Sequence, residues 1–141
     1  MAELHSNRGE HDRKFDQAVE KALRLVGGLA ERRAKETISD MEAVDTGFLR
    51  NSITFALDGE AANVAEYQDD AGNQHGEYGA EAPAETGGNR AVYIGTNVYY
   101  APYVELGTTK MPARPFLSQS IQSNKSEMEN LFQEAFGHYM K

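Results

Sequence analysis

The chain has 141 residues, a length that suits one domain, 1–141, with a modest core. It carries 14 Lys and Arg against 22 Asp and Glu, a formal charge of −8, which argues against gripping DNA or anionic lipid by bulk electrostatics. With no cysteine, disulfide frameworks, thiolate zinc sites and Cys nucleophiles are excluded, and no apolar run of about 18 residues exists to span a bilayer.

The stretch from Met1 to His11 is polar and reads as a frayed end rather than the apolar run of a signal peptide. From Asp12 a helical period begins: Phe15, Val19, Ala22, Val26 and Leu29 advance by fours and threes, with Leu23, Ala30, Ala34, Ile38 and Met41 widening the stripe. This predicts one long helix over 12–40, with Gly27-Gly28 marking a close contact or a bend. Asp45-Thr46-Gly47 is turn chemistry. Ser52 to Leu57 alternates polar and apolar and predicts a strand, paired as a hairpin with a weaker strand over 63–67.

Residues 69–90 hold six Gly or Pro and five acids, and read as a long acidic loop. Net charge concentrates here: residues 51–91 carry eight acids and a single base, Arg90. Ala91 to Gly95 predicts the third strand. Tyr99 to Leu106 predicts a short helix with Pro102 in its first turn and Gly107 as C-cap. Pro112 and Pro115 enforce an extended approach to a last helix, whose stripe runs from Phe116 to Phe136. The order predicts an α+β fold, with the long N-terminal and C-terminal helices on one face of a small antiparallel sheet.

No motif carries catalysis. Asp45-Thr46-Gly47 is the tripeptide that opens an aspartic-protease site, but that fold is nearly all β, and Met41-Glu42-Ala43-Val44 is a poor strand to precede it. His5, His11, His75 and His138 stand at no ligand spacing and read as solvated surface groups. Tyr93, Tyr99, Tyr100, Tyr103 and Phe116 form a dense aromatic cluster with only Lys110 and Arg114 nearby, which favours interface packing over nucleotide stacking.

Four blocks then occur in order: Asp45-Thr46-Gly47-Phe48-Leu49-Arg50-Asn51-Ser52-Ile53, Tyr93-Ile94-Gly95-Thr96-Asn97, Tyr100-Ala101-Pro102-Tyr103-Val104-Glu105-Leu106-Gly107-Thr108 and Met111-Pro112-Ala113-Arg114-Pro115-Phe116-Leu117. Together they resemble the tail-component family of long-tailed bacteriophages and prophages, the tail completion or head–tail joining proteins, over about residues 12–137. The resemblance implies a structural virion protein of the neck or tail end, assembled in the host cytoplasm. It implies a homo-oligomeric ring, commonly hexameric, around the DNA channel. Its neighbours would be other neck or tail-tube proteins, with DNA passing without sequence-specific binding and no membrane involved. No enzyme activity, catalytic residue, cofactor or metal comes with it. In that role Tyr100, Pro102 and Tyr103 suit a subunit interface, and Glu105 and Arg114 are a candidate ion pair. Pro112 and Pro115 would stiffen an arm next to the anchor Phe116, and Asp45, Thr46 and Gly47 would shape the helix-to-strand turn. The alternative from another class is a small non-catalytic regulatory binding module.

Overall fold

The computed structural model describes residues 2–41, 46–58, 64–68, 74–80 and 91–141, with the backbone alone at 2–11, 46, 64–68 and 74–78. Asp45 and most of the acidic stretch lie outside the described residues. Helix α1 (Ala2–Asp40) starts ten residues before the predicted start at 12 and is about 58 Å long at the usual rise. Along it Ala18, Ala22, Leu29, Ala30, Ala34 and Ile38 are buried. Four of these six are alanines, so neighbouring elements come close to the helix axis.

Helix α2 (Thr46–Ser52) occupies the segment where a turn and the start of a strand are predicted. Gly47 sits in its first turn with open space around its Cα, and Gly107 is the one glycine at positive φ among the described residues. The sequence signal there marks a helix start and not a left-handed turn. Leu49 and Ile53 are fully buried, and the amphipathic pattern of the segment is satisfied as helix.

Strand β1 (Thr54–Leu57) does not pair with β2 (Val64–Gln68), contrary to the predicted hairpin. It pairs antiparallel with β4 (Val92–Gly95), Thr54 opposite Gly95 and Leu57 opposite Val92. Strand β2 instead pairs with β3 (Gln74–Gly79), which lies inside the segment predicted to be loop. The fold is α+β, but its strands form two separate two-stranded ribbons. The ribbon β2–β3 is tied to β1–β4 by two buried or half-buried bonds. The Ala80 amide donates to Thr54 Oγ1 at 2.7 Å, and the Gly79 amide donates to Asn97 Oδ1 at 3.1 Å.

Gly27 is the close contact expected at the glycine pair. A Cβ there would stand 2.5 Å from the Phe55 ring and 2.9 Å from Val92 Cγ2, so β1–β4 lies directly on α1. Gly28 faces open space.

Helix α3 (Ala101–Leu106) is followed by α4 (Phe116–Ser123) and α5 (Lys125–Tyr139), two helices where the stripe predicts one. Asn124 makes the break: its side-chain amide donates to Ser120 O at 2.7 Å, while its own carbonyl accepts from Met128 N at 3.0 Å. Arg33 meets Glu127 and Phe15 meets Phe136, so α5 runs back along α1. One core cluster joins α1, α2, α3 and α4 through Ala34, Ile38, Leu49, Ile53, Val98, Ala101, Val104 and Phe116.

Candidate functional site

The six residues of α3 divide cleanly. Ala101 and Val104 turn into the core, and Tyr100, just before the helix, packs against that core with its ring 6.2 Å from Phe48. The opposite side is left in solvent: Tyr99 is 83% exposed, Tyr103 56% and Leu106 77%. Their spacing of four and three places them along one side of the helix and its leading turn. Pro102 is exposed between them. Large apolar side chains grouped in this way form an exposed apolar patch, a feature that interaction surfaces share.

Gly107 ends the helix as expected. Its φ of 79° and ψ of 171° lie in a region that only glycine adopts comfortably. Its amide donates to Tyr103 O at 2.8 Å. The chain then doubles back through a tight turn, with Thr108 N donating to Met111 O at 2.8 Å and Thr108 Oγ1 accepting from the amides of Lys110 and Met111. Arg114 N donates to Val104 O at 2.7 Å. The segment from Pro112 to Pro115 is therefore strapped to its own α3, while Pro112 and Lys110 stay exposed.

Two expected interface residues act within the subunit. Phe116 is fully buried in the core cluster, where its volume fills the space between α3 and α4. Glu105 caps α4: its Oε1 accepts from Leu117 N at 2.8 Å and Ser118 N at 3.4 Å, and its Oε2 accepts from Ser118 Oγ at 3.0 Å. Pro115 precedes α4 and has no side-chain acceptor to offer, so the cap is supplied from α3. A carboxylate at a helix N-terminus also favours the helix dipole. Glu105 thus holds α3 to α4 within the subunit.

Two ionisable clusters lie elsewhere. Arg33 reaches Glu36 Oε2 at 2.8 Å and Glu127 Oε1 at 2.6 Å, clamping α1 to α5 at the surface. The bond from Arg33 holds the Glu127 carboxyl below its ordinary pKa. On β4, hydrogen bonding to Asp58 and desolvation push the Tyr93 phenol above its ordinary value. Neither cluster has the geometry of a nucleophile, base and orienting group. Among the described residues there is no group of three or more acids or histidines able to hold a metal, and no helix long and apolar enough to cross a membrane.

Of the aromatic cluster read as interface, Tyr99 and Tyr103 lie on this exposed side with Pro102, while Tyr100 packs against the core. Leu106 was not among the expected residues, and the signal that would have found it is the four-and-three spacing across Tyr99, Tyr103 and Leu106.

Residues 2–107, from α1 to the glycine that closes α3, match the family described as "Bacteriophage HK97-gp10, putative tail-component". No curated protein and no solved structure matches the chain. The match takes in α1, α2, both ribbons and the exposed side of α3, and the chain belongs to the HK97-gp10-like family of phage tail components.

Proposed function

We propose that the chain is a structural protein of the phage neck or tail end that assembles into a hexameric ring, completing the tail or joining it to the head around the DNA channel. The observation that carries this reading is the row Tyr99, Tyr103 and Leu106, left in solvent on a helix whose other side is core. An isolated subunit gains nothing from that exposure, whereas aromatic anchors of this kind dominate protein interfaces. The acidic stretch supports a channel role for DNA without capture, because a ring of acidic segments repels phosphate. As a tail component the protein resides in the virion. No observation among the described residues favours a regulatory module.

Electron microscopy of particles made without this protein tests the reading. Full heads lacking tails place it at the joint, finished tails lacking heads place it at the tail's upper end, and tubes of uncontrolled length place it at tail termination. Particles of normal form and infectivity would refute a structural role.

A further inference from the structure

We propose that the outer edge of β4 docks against the β4 edge of a second copy of this chain, the two strands pairing antiparallel about a two-fold axis. The contact belongs to the free protein and stands apart from the ring reading, because a two-fold contact does not recur around a cyclic ring. The Asp58 amide donates to Ala91 O at 3.1 Å, which sets the alternation of the β1–β4 ladder. Ala91, Tyr93 and Gly95 turn their backbone groups toward β1, and Val92 and Ile94 turn theirs away. Among the described residues the outward N–H and C=O groups of Val92 and Ile94 meet no backbone partner. The strand packs chiefly on β1 and α1, and its four residues are half-buried. Natural edge strands are ordinarily guarded by a charge, a proline or a bulge. Val92-Tyr93-Ile94-Gly95 carries no charge and no proline, and its register with β1 is unbroken.

Donors and acceptors alternating along such an edge are matched by another extended backbone. The β4 edge is its own complement. With the two copies' Tyr93 residues opposite each other, Val92 of each copy faces Ile94 of the other, and every outward N–H meets an outward C=O. The side chains agree with this register. A Cβ on Gly27 would meet Val92 Cγ2, and Ile94 packs against the core cluster, so both lie on the α1 side of the ribbon. Across the two-fold axis they become β-branched pairs that extend the apolar layer under α1 into the second copy. An uncharged strand meets its own copy without repulsion. Pairing in the free protein covers an edge that would otherwise template association with any exposed strand.

Analytical ultracentrifugation of the purified full chain, with amide hydrogen exchange read residue by residue by NMR, tests this. The wild type should dimerise, with an affinity that salt changes little because β4 is uncharged. On going from dilute to concentrated protein, the Val92 and Ile94 amides should exchange at least about tenfold more slowly, while the Tyr93 amide, bonded to β1, should be protected in both. Val92→Pro removes an outward donor and leaves the β1 ladder intact. With a melting curve showing that it folds, this variant should associate at least about tenfold more weakly, as loss of the symmetric pair of bonds requires. A wild type that stays monomeric at millimolar concentration overturns the proposal. So does a dimer in which Val92 and Ile94 exchange as fast as in the monomer, or a folded Val92→Pro chain that dimerises like the wild type. Protection that arises only in a hexamer overturns the two-fold pairing. None of these outcomes touches the ring reading, which the particles decide.

Discussion

Gly107 and Gly47 carry opposite expectations although both sit in the blocks on which the resemblance rests. Gly107 combines positive φ with a close approach: a Cβ would stand 2.7 Å from Ala113 N and 3.0 Å from Ala113 Cα. Gly107→Ala should cost about 1–3 kcal/mol from the backbone alone, read by urea unfolding, with the clash adding to it. Gly47 lies in α2 with open space, and Gly47→Ala should be neutral or stabilising by up to about 1 kcal/mol. The glycine pair in α1 divides in the same way. Gly27→Ala drives a methyl into the Phe55 ring and should cost about 1–3 kcal/mol, whereas Gly28→Ala should gain up to about 1 kcal/mol. The C-cap role of Gly107 was legible in sequence, because a helical run ended there before a proline-flanked segment. The helical state of Gly47 was not, because Asp-Thr-Gly serves both turns and helix starts.

At the scale of elements, periodicity carried the helices, while strand pairing depended on contacts far apart in sequence. Ser52 to Leu57 alternates correctly for a strand, but nothing local says that its partner lies at Val92–Gly95. The short β3, rich in Gly and polar residues, gave no apolar signal, and the segment holding it read as a loop. Replacing residues 70–88 by a short Gly-Ser linker, which the loop reading would tolerate, should instead lower the melting temperature. It removes β3 and the buried Ala80, whose amide sits on Thr54 Oγ1. Between α3 and α4, Glu105→Ala should cost about 1 kcal/mol through loss of the cap. Between α1 and α5, the lowered carboxyl pKa of Glu127 sets a sign with pH. Its stabilising contribution is complete above the ordinary glutamate value of 4.5 and is lost as pH falls through the depressed folded value. Thermal melts across that acidic range should show a fall that is smaller in Glu127→Gln.

For the molecule as a whole, the split of α3 into a core side and a solvent side connects fold to role. Ala101, Val104 and Phe116 hold the helix in place, and the Tyr99, Tyr103 and Leu106 side is left largely in solvent. The family was legible from its ordered blocks, and the aromatic block falls on α3 and its leading turn. What sequence could not separate was which members of that block face inward. Phe116 and Glu105 look like surface anchors until the return of the chain along α3 places them in the core and at the start of α4. The assignment of α3 as an assembly surface is tested most directly by the titre of infectious particles carrying Tyr103→Ser with Leu106→Ser, measured beside the melting temperature of the free variant. The expected result is an unchanged melting temperature with a loss of infectious particles; a normal titre from the folded variant would contradict the account.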